Sequence, residues 1–353
     1  MNLTRHLFTT IIDVIFLSDV TLKGLYSLVM CKRQRSIIMN LTQLKRNGSM
    51  LSQRDRSPRH DRDYVTIALF LLPSVILFAI FLIYPIIRSG YYSLFNWNGL
   101  GPATKFVALN NYKQILADQV FIKAIWNSIL IVVLSLVIQL PLALMLAIMV
   151  GRDLPGRAFF RSIFFMPYVI SEVITAIIWI SMFSPDPDRG FINALLVLIP
   201  GAHAQNFLGD VNQVMACVFV VLTWKYFGLH MLLFMTGLQN IPRDIEESAM
   251  IDGANRWQSI WYVTVPLLGT TIRTSSYLSV LGSLTQFNLV WIMTRGGPVN
   301  ASEMMATYMY RFAFVRYQLG YGSAVALVML VFCLIFSVIY QQLNRQPDPL
   351  SGV

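Results

Sequence analysis

Charge is what this chain has least of. Asp, Glu, Lys and Arg make up 12% of its 353 residues while 56% are hydrophobic, against about 25% charged in an ordinary soluble domain. One soluble core cannot bury that much apolar surface. Cys31, Cys217 and Cys333 show no CxxC spacing, and two of them lie in apolar runs. They read as small packing residues rather than ligands or disulfide partners. His6, His60, His203 and His230 are scattered and fit no metal-binding pattern. There is no GxxxxGK[ST] loop, nor any Gly-Lys dipeptide, so the usual cradle for nucleotide phosphates is missing. Neither a GxSxG elbow nor an HExxH helix occurs, and an enzyme reading has no residues to stand on.

The charge that exists is unevenly spread. The net balance is +10, and residues 1–63 hold 11 Lys and Arg against 5 Asp and Glu. A basic leader ahead of apolar spans marks a cytoplasmic terminus, not a nucleic-acid surface. Within it, Asp13, Asp19 and Lys23 interrupt a rough helical stripe. Each such charge costs about 2.5–3.5 kcal/mol at the centre of a span, so the stripe is not counted as one. Asp13 also breaks the apolar region that a secretory signal needs. Residues 1–63 are expected to form a basic extension, part flexible tail and part interfacial helix, touching anionic lipid. Met39 or Met50 is an equally good start.

What is present is long apolar runs of about the 20 residues that cross a bilayer. Six are expected, at residues 64–87, 124–150, 162–183, 214–238, 263–293 and 323–343, followed by a short tail over 344–353. The fold class is therefore all-α and polytopic. An even number of spans puts both termini on one side, which the leader makes cytoplasmic. The loops at 151–161, with Arg152, Arg157 and Arg161, and at 239–262 then face inward. Residues 88–123, 184–213 and 294–322 face outward.

The inward loop from Ile241 to Ala254 is polar and helix-forming. Pro242 suits a helix start and Gly253 a helix stop. Asp244, Glu246 and Glu247 lie near the N-terminus, where the helix dipole favours negative charge. Ile245 and Ala249, with Met250 and Ala254 beside them, share a face that can enter a groove on a partner. A second short helix is expected over 255–262.

Glu247-Ser248-Ala249, three residues, Gly253, nine residues and Val263-Thr264-Val265-Pro266 resemble the EAA loop of bacterial ABC-transporter permeases. Ser248, Val263 and Val265 depart from that pattern by small changes of volume. From about 64 to 343 the chain resembles sugar-type permeases of binding-protein-dependent ABC importers, of the maltose-transporter first-permease type. The phrases that carry this are Asn110-Asn111-Tyr112, Phe165-Met166-Pro167-Tyr168, Trp179 with Phe183-Ser184-Pro185, and Gly190-Phe191-Ile192-Asn193. Gly237-Leu238-Gln239-Asn240-Ile241-Pro242, Gly296-Gly297-Pro298 and Leu319-Gly320-Tyr321-Gly322-Ser323-Ala324 follow in order.

The resemblance implies a six-helix type I importer permease core with a cytoplasmic coupling helix, in a bacterial plasma membrane. It implies a second permease as heterodimer partner, ABC ATPase subunits that use ATP and Mg, and an extracytoplasmic sugar-binding protein. No cofactor is expected on this chain, and no nucleic acid. Glu246, Glu247, Ser248, Ala249, Asp252, Gly253 and Pro266 become the residues that couple to the ATPase.

Charges inside spans are expensive and rarely face lipid. Glu172 and Lys225 are expected to pair between the third and fourth spans, either fixing helix packing or lining a pathway. Arg273 is expected to snorkel or cap the inner side. Sugars are gripped by hydrogen bonds and flat aromatic faces. Trp224, Tyr226, Gln286, Asn288 and Trp291 supply both, although the first two equally suit packing. Two alternatives stay open: a permease for another solute, such as a polyamine or phosphate ester, and a stand-alone secondary transporter using Glu172 and Lys225 as a relay. Asn300-Ala301-Ser302 matches a glycosylation acceptor of a kind common by chance.

Overall fold

In hydrocarbon every backbone donor and acceptor must be met inside the segment itself, so an apolar crossing stretch folds as a helix. The computed structural model describes residues 60–151 and 156–344, with backbone alone for 60–68. The expected basic extension up to residue 59, Arg152 and the tail beyond 344 lie outside the described residues. Among those described, regular structure is helical apart from one isolated bridge between Phe95 and Phe106.

The described residues fall into two compact units, one of residues 60–88 with Leu334–Leu343, the other mainly Ser89–Cys333. In the first, α1 (His60–Phe78) passes through a π turn at Ala79–Ile83 into α2 (Tyr84–Tyr92). Leu69, Phe70, Phe81 and Ile87 along it are exposed, as lipid-facing side chains are.

The second unit carries the rest. After α3 (Asn110–Ala117), α4 (Gln119–Leu134) continues through a π turn at Ser135–Gln139 into α5 (Leu140–Val150). Asp118 caps α4, its carboxylate accepting from the Val120 amide at 2.7 Å. Next come α6 (Arg157–Val169), α7 (Glu172–Met182), α8 (Phe191–Leu196) and α9 (Val214–Gln239). The loop after α9 forms α10 (Arg243–Ile251) and α11 (Arg256–Ser259), then a π turn at Ile260–Thr264 and α12 (Val265–Leu267). Then follow α13 (Gly269–Leu284), α14 (Asn288–Met293), α15 (Met305–Tyr310), a π turn at Arg311–Val315 and α16 (Leu319–Leu343), whose stretch Leu334–Leu343 belongs to the first unit.

α9 is the centre of this unit and packs on α5 and α6. One apolar cluster joins Leu140, Ala143 and Ala147 to Met231, Phe234 and Leu268. A second joins Trp179 and Phe183 to Val221, Leu289 and Met304. Gly228 makes the α6 contact possible, since a Cβ there would lie 2.0 Å from the Phe164 carbonyl oxygen. Polar pins hold α13 to the same core: His230 Nδ1 of α9 lies 2.7 Å from Ser275 Oγ, and Ser135 Oγ 3.4 Å from Ser283 Oγ.

Among the described residues, four stretches are long and apolar enough to cross a membrane as continuous helices, namely Leu69–Tyr92, Gln119–Val150, Val214–Gln239 and Leu319–Leu343. The third expected stretch is not one straight helix, because α6 and α7 meet at 96°. The backbone turns extended at Ile170 and Ser171, with ψ of 138° and 141°. The fifth is also divided, at Leu268 and again between Leu284 and Asn288. Proline precedes both breaks that matter, Pro167 and Pro266, and a proline ring removes a helix donor and crowds the preceding turn.

Candidate functional site

The loop after α9 carries a short, exposed, well-stopped helix, α10. Pro242 stands one residue before α10, in extended conformation, rather than inside its first turn. Ser248 donates to the Asp244 carbonyl at 2.6 Å. At the far end Gly253 takes φ of +90°. Its N–H reaches Met250 O at 3.1 Å while Ala254 N–H reaches Ala249 O at 3.0 Å. That pair of bonds is the Schellman stop, and it needs a left-handed residue at this position. The chain then restarts at once, because Asn255 and Gln258 cap each other reciprocally at 2.8 and 2.9 Å.

A side-chain bond joins α10 to the π turn that follows: Thr264 Oγ1 donates to Glu246 Oε1 at 3.2 Å. Glu247, Ser248, Asp252, Gly253 and Pro266 are exposed, while Glu246 and Ala249 are half-buried. Of the apolar face, Ile245 and Met250 are exposed and Ala254 half-buried. Sequence reasoning missed the largest apolar groups here. Ile251, Trp257, Trp261 and Tyr262 are all exposed, at 85%, 71%, 58% and 79%. An apolar crest on a charged loop was readable from the run Trp257 to Tyr262.

The second constellation sits at the bend between α6 and α7. The expected Glu172–Lys225 ion pair is not formed. Lys225, 3% exposed, donates all three ammonium protons to backbone: Pro167 O at 3.0 Å, Tyr168 O at 2.9 Å and Ile170 O. Glu172, at the first residue of α7, accepts instead from the Tyr226 hydroxyl. The bend explains the swap. It frees the last carbonyls of α6 and the first N–H groups of α7, so the cation goes to the negative helix end and the carboxylate to the positive one.

Tyr168 closes this cluster, its ring 5.9 Å from the Lys225 ammonium and 6.2 Å from the Tyr226 ring. Gln286, buried in the break between α13 and α14, presents its side chain to the same Tyr226 hydroxyl. Glu172, Lys225, Tyr226 and Gln286 are thus brought together. Trp224 is not; it packs edge-on to Trp179 in the apolar cluster, 5.7 Å between rings. Trp291 joins Phe287 and Tyr310 in an aromatic group, at 6.0 and 4.8 Å. Asn288 is exposed at the start of α14. Arg273 turns back onto its own helix, Nε donating to Gly269 O at 3.2 Å.

The loop between α14 and α15 is a further polar node that periodicity could not reveal. Glu303 is fully buried and ion-paired with Arg311, which also donates to Asn300 Oδ1 at 2.6 Å and to Arg295 O at 2.8 Å. Burial pushes the Glu303 carboxyl above the ordinary carboxylate range, with Arg311 opposing. From α4, Asn127 donates to Ala301 O and Glu303 O, both at 2.9 Å. The Asn300 triplet is therefore a structural node: its amide is engaged, and Ala301 and Ser302 are buried.

Residues 139–348, more than half of the chain, match the family described as "Binding-protein-dependent transport system inner membrane component". The probable ABC transporter permease protein YurN of Bacillus subtilis is 34% identical over 273 residues, covering 76% of this chain and 92% of its own. The multiple sugar-binding transport system permease protein MsmF of Streptococcus mutans is 31% identical over 278 residues, 78% and 94% respectively. A chain of the crystal structure of a bacterial alginate ABC transporter, in complex with an alginate pentasaccharide-bound periplasmic protein, superposes with a TM-score of 0.72. It is 24% identical, and the match covers 82% of this chain and 98% of that one.

Proposed function

The chain belongs to the binding-protein-dependent transport system inner membrane component family, and from that premise we propose that it is the permease subunit through which an ABC importer admits a sugar or oligosaccharide. The multi-pass fold supplies the conduit. The solute class is supported by the name of the Streptococcus mutans relative, by the alginate complex whose fold it shares, and by the aromatic and amide groups around Tyr226, Gln286 and Trp291.

The single observation that carries the mechanism is the stopped, exposed peg α10, bonded through Glu246 and Thr264 to the helix that follows it. ATP binding closes two nucleotide-binding subunits supplied by other genes, and the peg seated in a groove on one of them moves with it. Because the Schellman stop and the capping box leave little slack between α10 and the chain that follows, that displacement is handed to α12 and α13. The division at Leu268 then lets the membrane segment tilt. Both termini lie in the cytoplasm, a second permease completes the pathway, and an extracytoplasmic binding protein delivers solute.

The role of this chain is mechanical. ATP is bound and hydrolysed by the partner, where Mg is also held. The polar cluster at the bend supports transport more readily than a proton relay, because the three acceptors of Lys225 are backbone carbonyls, which do not take up a proton and hand it on.

The test is Glu247→Arg in the assembled transporter. Uptake of labelled oligosaccharide and co-purification of the ATPase are both expected to fail, with membrane insertion unchanged. Normal uptake in that variant would remove the docking role. Binding of sugars, polyamines and glycerol phosphates to the cognate extracytoplasmic receptor separates the solute classes.

A further inference from the structure

Three arginines gather where helix physics discourages them. Arg157 is the first residue of α6 and Arg243 the first of α10, with Arg161 one turn further along α6. A helix N-terminus carries partial positive charge, so basic groups there repel both the dipole and one another. Neither start has a side-chain cap, with Gly156 and Pro242 at the cap positions. The first N–H groups of both helices therefore look for an acceptor. Arg157, Arg161, Gln239 and Arg243 nonetheless line one cavity of about 490 Å³, floored by the buried Met235 and Ile241. Arg157 and Arg243 also hold contacts inside the chain. A guanidinium carries five N–H donors in a planar fork, so it can hold a protein partner and a ligand together.

We propose that this cavity is a binding site for the phosphate of an anionic phospholipid, on the side of the membrane that carries the peg. The phosphate chemistry follows from planar guanidinium forks and two uncapped helix starts converging on one space. The lipid source follows from what adjoins it. On α6 the same stretch exposes Phe159, Phe160 and Ile163, at 66%, 40% and 43%, a surface suited to acyl chains rather than water. Basic pockets at the inner ends of membrane helices take headgroups in this way. Since Arg243 begins the peg, a lipid seated here would brace α10 against α6. The inference rests on the membrane-spanning fold and not on which solute is carried.

The test uses the full-length chain in mild detergent. It is heated with dioleoylphosphatidylglycerol, with dioleoylphosphatidylcholine, or with inorganic phosphate, and retained lipid is read by native mass spectrometry. Phosphatidylglycerol is expected to raise the unfolding midpoint and stay bound, while the other two do neither. Arg157→Gln with Arg161→Gln should lower its retention about tenfold or more. Arg243→Gln alone should lower it less, and provides the reading if the double variant fails to fold. Lys105→Gln, in the loop before α3, should leave retention unchanged. Equal retention by the glutamine variants would overturn the site. Equal protection by phosphatidylcholine or by phosphate would overturn the anionic-lipid assignment.

Discussion

Replacing Lys225 with Met removes three charge-assisted bonds at once while keeping the length of the side chain. Each such bond contributes about 1.5–3 kcal/mol. Against that loss, the variant no longer buries an ammonium, which costs several kcal/mol even after relaxation. What then remains is three backbone carbonyls at the α6 end, Pro167, Tyr168 and Ile170, without their donor. An unmet buried acceptor costs about 1–3 kcal/mol, and local backbone adjustment at a bend relieves part of it. The net loss should be about 3 kcal/mol, an unfolding midpoint lower by about 6–12 °C for a unit of this size. The assay is thermal unfolding of the purified chain in detergent, paired with thiol labelling of Ser171→Cys at the bend. Labelling should speed up in the Met background. A lowered midpoint with faster labelling identifies Lys225 as the clasp of the broken span. Unchanged values for both, with uptake abolished, would refute that reasoning and restore Lys225 as a group that handles solute.

Gly253→Val and Gly253→Asn test the peg's stop. A Cβ at Gly253 meets nothing within 4 Å, so the effect is conformational, set by φ of +90°. Valine should cost about 1–2 kcal/mol and weaken ATPase co-purification, whereas asparagine, at ease in the left-handed region, should keep most of it. Equal behaviour of the two would show that the stop does not matter for docking. Glu303 gives a pH signature. Its carboxyl is raised in the folded chain by burial, so the stability it contributes is full below the ordinary value of 4.5 and is lost as pH rises through the elevated one. Relative to Glu303→Gln, the unmutated chain should therefore lose unfolding midpoint on going from acid to neutral pH. A difference that stays flat, or widens in the opposite direction, would contradict the direction of that shift.

The helical, polytopic class was legible from composition because it follows from a scarcity of charge and from run length, both local quantities. The peg was legible for the same reason. A proline, three acids, an apolar face and a glycine in register are local instructions, and α10 ends at the stop they describe. Glu172 and Lys225 were recognisable as costly charges, but their partners were not. Pairing depends on the 96° bend at Ile170 and Ser171, which presents a helix's negative end to one and another's positive end to the other. Trp224 and Trp291 look alike in a hydropathy pattern, yet one packs on Trp179 and the other joins Phe287 and Tyr310. Glu303 and Arg311, eight residues apart across a loop and a helix, carry no periodic signal at all. Hydrophobicity and turn chemistry act over a few neighbours along the chain. Salt links, helix-end charges and cavities depend on where distant segments meet, and only the folded arrangement decides that.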